Sequence, residues 1–318
     1  MLTAEQENDI NVAGIAVKNN PNNFEAYVEL GMAYFEANQF DDAMAAFQQA
    51  IQLNPDAAAA HNGVGRVCYH TGPVQAAIDA YERAIELDRK YKDPYYGLGI
   101  LYFSKLGDYD AAIEAFQRAI ELHPGDSSFI VFLGITYSRM GQFDAAINTF
   151  QRAIDLDPES TFAYGNLSIV YLYQSRFAEM IATCKREIEI EDAHDARRML
   201  GYVYELTGQP EQAIEQLEQS IALAPTDYEA RGALAKMYHI TGRTQDASEH
   251  YAMASAMAGR DDEYGQACFE SVSGNSEQAL KLLETALTKG QLQSGWARID
   301  PEFVFVRDDP RFKSLVEN

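Results

Sequence analysis

The chain has 318 residues, of which 47% are hydrophobic and 23% charged, a balance that excludes wholesale disorder and a small disulfide-stapled scaffold. Its 48 acidic and 25 basic residues leave a net charge of −23, and a surface of that sign repels nucleic-acid phosphates and anionic membranes. The charge is graded along the chain, −11 over residues 1–126, −8 over 127–227 and −4 over 228–318.

The opening residues lack the basic and apolar segments of a secretory signal. No apolar run approaches the roughly 18 residues needed to cross a bilayer. Cys68, Cys184 and Cys268 are too scattered for a disulfide framework or a zinc knuckle. A cytoplasmic protein without membrane insertion is the expectation. Residues 4–19 fit one amphipathic helix with Ile10, Ala13, Ala16 and Val17 inward, ended before Pro21.

From Phe24 onward the chain repeats itself. A small residue recurs at Gly31, Gly65, Gly99, Gly134, Ser168, Gly201 and Ala235, spaced by 33 to 35 residues. Three residues later stand Tyr34, Cys68, Tyr102, Tyr137, Tyr171, Tyr204 and Tyr238. A second small position, at Ala43, Ala77, Ala112, Ala146, Ala213, Ala247 and Ala279, is followed four residues on by Phe47, Tyr81, Phe116, Phe150, Leu217, Tyr251 and Leu283. A third falls at Ala50, Ala84, Ala119, Ala153, Ser220, Ala254 and Ala286.

Each repeat reads as two antiparallel helices of about 14 residues. The small residues let the axes approach, and the aromatics fill the adjoining volume. Gly72, Gly107, Gly141, Gly208, Gly242 and Gly274 mark the turns, where positive φ favours glycine. Pro55, Pro124, Pro158 and Pro225 end their repeats. Two repeats depart from the pattern. The third has an extra residue in its turn, Ser104 to Asp108, which a surface turn can absorb. The fifth has Met180, Cys184 and Glu187 at the Ala, aromatic and Ala positions and lacks the closing proline, which predicts the weakest inter-repeat packing and either a flex point or a tolerated variant with no mechanical role.

The pattern resembles the tetratricopeptide repeat (TPR), carried by Leu30-Gly31, Tyr34, Asn38, Ala43, Phe47, Ala50 and Pro55 in the first repeat. Leu133-Gly134, Tyr137, Gly141, Ala146, Phe150, Ala153 and Pro158 repeat it in the fourth. The resemblance implies an all-α, right-handed α-solenoid of stacked antiparallel helix pairs. Residues 1–23 form an N-terminal capping helix. The array covers 24–290, with repeats at 24–57, 58–91, 92–126, 127–160, 161–193, 194–227 and 228–260 and a degenerate eighth at 261–290. Residues 291–318 form a C-terminal cap, whose sequence resembles the closing segment of bacterial TPR arrays. Asp309-Pro310 starts a last short helix carrying Phe312, Leu315 and Val316. The tail is expected to plug the last helix pair, with a partner-binding role for Trp296 as the alternative.

The constellations that carry chemistry are missing. The six histidines form no metal-ligand spacing, and Gly63-Val64-Gly65 sits at a helix-packing position, not at a strand-to-helix turn. The acidic clusters from Glu187 to Asp195 and at Asp261-Asp262-Glu263 lack the alternating ligand order of a calcium loop. Cys68 and Cys184 occupy recurrent core positions, and Cys268 is less constrained. No enzyme activity, cofactor or metal is expected.

The resemblance also implies that a protein or peptide segment binds a concave groove lined by the first helix of each pair. First-helix positions free of packing share one face. They give Glu29, Glu36, Tyr96, Phe103, Phe132, Arg139, Asn166, Tyr173 and Tyr202 as the partner-binding groove, with packing between adjacent first helices as the alternative for any single aromatic. Such a groove is acidic at its N-terminal end and aromatic in the middle, which suits an amphipathic, partly basic partner. A chaperone carboxylate clamp is disfavoured, because Val28 and Met32 stand at its Lys and Asn positions and the third repeat offers Asp93 and Gly97. The expected function is a non-enzymatic scaffold or adaptor. A self-assembling TPR protein, as among magnetosome-associated ones, or a regulatory subunit of a separately encoded enzyme is the alternative.

Overall fold

The computed structural model describes residues 2–258, 262–292 and 294–316, without the side chains of Trp296 and Ile299. The expected roles of Trp296 and of Asp261 therefore lie outside the described residues. Helix α1 (Ala4–Asn19) precedes seven pairs: α2 and α3 (Phe24–Glu36, Phe40–Leu53), α4 and α5 (Ala58–Thr71, Val74–Leu87), α6 and α7 (Lys92–Leu101, Tyr109–Leu122), α8 and α9 (Ser127–Arg139, Phe143–Leu156), α10 and α11 (Thr161–Tyr173, Phe177–Ile190), α12 and α13 (His194–Leu206, Pro210–Leu223), and α14 and α15 (Tyr228–Ile240, Thr244–Ala258). An eighth pair, α16 (Glu263–Val272) and α17 (Ser276–Thr288), leads to α18 (Ser294–Ile299), a 3-10 turn (Pro301–Phe305) and α19 (Pro310–Val316). Among the described residues there is no strand, and the fold is an all-α helical repeat. Two compact units, Met1–Leu133 and Gly134–Asn318, divide it within α8.

One contact recurs in the first four helix pairs. A Cβ added to Gly31 would lie 2.6 Å from the Phe47 ring, one at Gly99 2.5 Å from Phe116, and one at Gly134 2.6 Å from Phe150. The missing Cβ is the space the ring occupies. Gly63 and Gly65 serve the same packing, their Cβ positions falling 2.4 Å from Phe47 and 2.7 Å from Tyr81, which accounts for the GxG triplet without a nucleotide. Helix α1 begins with a capping box, Thr3 and Gln6 exchanging bonds of 3.2 and 3.0 Å. Gln6 also donates to the Glu36 carbonyl at 2.8 Å, satisfying an end group of α2.

The turns correct two expectations. Gly107, Gly141, Gly208, Gly242 and Gly274 have positive φ, but Gly72 is extended at φ −113°, because Pro73 behind it excludes helical geometry. Asn38 and Ser175 take the left-handed turn in the first and fifth repeats. The extra residue of the third repeat is absorbed not in a loop but by widening the end of α6 into a π-helical stretch, Tyr102–Leu106, closed by the Gly107 N–H on the Tyr102 carbonyl. Cys268 is as buried as Cys68 and Cys184, and all three thiols are free. Burial pushes the Cys184 thiol up to about 12.

Glycine inside a helix is intrinsically worse than alanine by about 1 kcal/mol, so Gly99→Ala would stabilise an exposed helix. Against the Phe116 ring the overlap dominates, and we expect a loss of about 1–3 kcal/mol. Phe116→Leu in the same chain should recover part of it, measured as a double-mutant cycle by urea unfolding. Additive losses would show that the two side chains do not share this volume.

Candidate functional site

In the first compact unit the first-helix positions come from α2, α4, α6 and the start of α8. Glu29 and Glu36 are exposed. Glu36 pairs with Arg66 at 2.9 Å, and the same guanidinium lies 4.1 Å from the centre of the Phe35 ring. Arg66 thus moderates the acidic end, a contribution the charge count along the chain conceals. Tyr96 packs between Phe129 and Phe132, with ring centroids 5.0 and 5.6 Å away. Phe103, drawn inward by the π-helical stretch, is 5% exposed and packs on Tyr109. The aromatics of this face are largely mutual packing, with Tyr96 and Phe132 half-buried.

In the second compact unit the tail does more than plug α16 and α17. Phe303, Val306, Phe312 and Val316 do join Ala267, Cys268, Leu280 and Leu283 in one apolar cluster. The stretch from Asp300 to Arg307 also reaches the first helices of earlier repeats. Tyr173 donates its hydroxyl to the Asp300 carbonyl, and Tyr264 donates to the Asp300 carboxylate. Ser271 Oγ donates to the Glu302 carbonyl at 2.6 Å. Tyr202, fully buried, meets Phe305 edge-on with centroids 5.4 Å apart. The Lys236 ammonium lies 4.4 Å from the centre of the same Phe305 ring. Arg307 donates to the Leu172 carbonyl at 2.9 Å and to Ser175 Oγ at 2.8 Å. The segment therefore touches α10, α12, α14 and α16.

A buried ionic cluster anchors it. Arg198 on α12 reaches Asp195 at 2.8 Å, Asp227 at 3.2 Å, Glu302 at 3.4 Å and Glu229 at 3.8 Å. Asp227 also caps α14, accepting from the Ala230 N–H at 2.8 Å. Burial opposes the charge of Arg198, but Glu302, Asp227 and Asp195 outweigh it and hold its pKa well above the ordinary value. Burial raises Glu302 well above the carboxylate range, with Asp300 adding to the effect against the pull of Arg198. Burial likewise brings Glu229 to about 7.

Beside the cluster, Phe162, Gly165, Asn166, Glu187, Asp195 and Arg198 line a cavity of about 480 Å³, together with Pro301 of the tail. Asn166 spends its amide N–H on the Phe162 carbonyl at 2.8 Å. Burial, reinforced by Asp195 and Glu191, raises Glu187 to about 7. Tyr173 and Tyr202 are thus brought together by the tail, while Asn166 lies on the cavity and Arg139 is buried in α8. Sequence reasoning missed Arg66, Glu187 and Asp300 to Arg307 as parts of these faces. The readable signals were the break at Glu187 in a column of small residues and the alternating aromatics Phe303 and Phe305. No group of acidic, histidine and cysteine residues able to hold a metal ion occurs among the described residues. No described helix is long and apolar enough to cross a membrane.

Residues 59–270 match the family model described as Cilia and flagella-associated protein 70 C-terminal domain, and residues 24–57 match that of the tetratricopeptide repeat. No curated protein matches the chain. Among solved structures it is similar to a chain of the APC/C hetero-tetramer Cut9-Hcn1, with 22% identity and a TM-score of 0.59 over 73% of this chain and 46% of that one. This chain therefore spans about half the length of that relative. It is also similar to PilW, a widely conserved type IV pilus biogenesis factor, with 16% identity and a TM-score of 0.58 over 64% of this chain and 94% of that one. A TPR repeat-containing protein from Cytophaga hutchinsonii matches with 20% identity and a TM-score of 0.55 over 71% of this chain and 93% of that one. At such identities the likeness is one of fold.

The raised Glu187 makes stability depend on pH in a defined direction. Between 4.5 and about 7 the folded state keeps a proton that the unfolded chain gives up. That contribution is complete below the unfolded pKa and is lost as pH rises through the folded one. Glu187→Gln, uncharged at every pH, should melt within about a degree of the parent near pH 5 and about 2–4 °C above it near pH 8. A difference that does not change with pH would contradict the assignment.

Proposed function

The chain belongs to the tetratricopeptide-repeat proteins, in the family described as Cilia and flagella-associated protein 70 C-terminal domain, and from that premise we propose a non-enzymatic scaffold whose first-helix faces recruit a partner segment. TPR proteins are generally non-enzymatic interaction modules, and no catalytic family matches. In this reading residues 1–23 cap an array over 24–290, and residues 291–318 both close its end and cover part of its face. The observation that carries the reading is the seating of Asp300 to Arg307 against α10, α12, α14 and α16. A first-helix face of this chain takes up a peptide through carbonyl, aromatic and guanidinium anchors, a mode of contact another protein's segment can share.

The face of the first compact unit is the one we assign to an external partner. Glu25, Glu29 and Glu36 are exposed there, so an amphipathic, partly basic protein segment fits it, and a nucleic acid does not. Three buried free thiols suit the reducing cytoplasm. A second reading, self-assembly, rests on Val12 and Ile15, 59% and 56% exposed on the outer side of α1. Sedimentation over a range of concentrations decides it, since a strict monomer excludes self-assembly.

Crosslinked capture from the native lysate tests the recruiting face. Reversing two charges, Glu29→Lys with Glu36→Lys, should lower recovery of the dominant partner about three- to tenfold with helicity unchanged, and the loss should shrink as salt is added. Undiminished recovery would remove the acidic face from the account.

A further inference from the structure

The fifth repeat breaks the small-residue rule in a way that builds a site. The closing small position of the second helix is Ala or Ser in every other repeat and Glu187 in α11. On the facing helix α10, Gly165 stands where other repeats carry Val28, Asn62, Tyr96, Val131 and Arg198, only Gly232 matching it. The two departures face each other, because a Cβ on Gly165 would lie in van der Waals contact with the carboxylate, 3.4 Å from Glu187 Oε1. A side chain longer than alanine at this position, of the kind most other repeats carry, would enter the cavity beside them.

Glu187 is 6% exposed, and its Oε2 has no hydrogen-bond partner among the described residues. Burying a carboxylate oxygen without a donor is costly. Arg198, which lines the same cavity, does not supply one: its two terminal nitrogens are engaged by Asp227 and Asp195, and its buried Nε makes no hydrogen bond among the described residues. Phe162, 52% exposed, and Met199 add apolar lining, and Glu191 adds negative potential, while Asp195 is paired with Arg198. Pro301 lines the cavity too, so a peptide main chain, the chain's own, already runs beside it.

The geometry points to this cavity as a subsite for one cationic side chain, arginine or lysine, of a peptide segment on the α10 and α12 face, with Glu187 as counter-ion and Phe162 and Met199 packing its aliphatic stem. The inference rests on the reading of first-helix faces as peptide sites and adds what that reading lacks, a residue-specific contact. The fifth repeat is on this view a recognition element.

Methyl NMR of the full chain with labelled methionines, near pH 8, reads the cavity through Met199. The probes are N-acetyl-argininamide, N-acetyl-lysinamide and the uncharged isostere N-acetyl-citrullinamide. A saturable Met199 shift is expected with at least one cationic probe, and binding about tenfold weaker with citrullinamide. Glu187→Gln should weaken the cationic probe by about tenfold without lowering the melting temperature, and Gly165→Val, which fills the cavity but keeps the carboxylate, should abolish saturation. Equal binding of citrullinamide, or unchanged binding to Glu187→Gln, overturns the subsite. No saturable shift in the parent, with partner capture still dependent on Glu29 and Glu36, overturns the subsite alone and leaves the scaffold reading standing.

Discussion

An aromatic ring seated where a glycine lacks its Cβ closes the first four helix pairs, and the use of the first-helix faces follows from it. Phe47 over Gly31, Phe116 over Gly99 and Phe150 over Gly134 bring two helices together and settle which side of the first helix is used up. The remaining first-helix positions must then meet either a neighbouring repeat, another molecule or another part of the chain. A helix pair of this kind cannot cover its own apolar face, so whatever covers that face decides what the protein can bind.

In the second compact unit the cover is the chain's own tail. Apolar burial of Phe303, Val306 and Phe312 fixes its end against α16 and α17. Specific polar anchors then carry Asp300 to Arg307 onto α10 and α12. Arg198 is central to this arrangement because a buried guanidinium facing several carboxylates is held only while they are present. Removing one partner of a buried pair costs about 3–5 kcal/mol, mostly through the charge left behind. Burial, with the neighbouring carboxylates adding to it, raises Glu302 well above the carboxylate range and Glu229 to about 7.

Much of this was legible in the sequence. The column of small residues and the aromatics four positions after them locate the helix pairs, because helix contacts are local and periodic. Gly72 and the third repeat show where local reasoning stops. The turn at Gly72 is decided by the proline behind it, and the extra residue near Ser104 widened a helix instead of lengthening a loop. The site was harder to read. Periodicity assigned Tyr202 and Tyr173 to a face, but it carries no information on a segment more than a hundred residues away, so the contacts to Phe305 and Asp300 were invisible. Phe103 was assigned to the face by the same periodicity and is buried, since a π-turn rotates the helix beyond it. Glu187 was visible as a departure, but only the three-dimensional pairing with Gly165 gives that departure a meaning.

The central claim is that Asp300 to Arg307 is seated on the first helices of the second compact unit. Hydrogen–deuterium exchange of the intact chain tests it directly, comparing the parent with Arg198→Ala. The Phe303 and Val306 amides, which donate to Asp300 and Phe303 carbonyls, should be protected to a degree approaching that of α12 and should lose that protection in the variant. Rapid exchange of these amides in the parent, at the rate of a free peptide, would contradict the account.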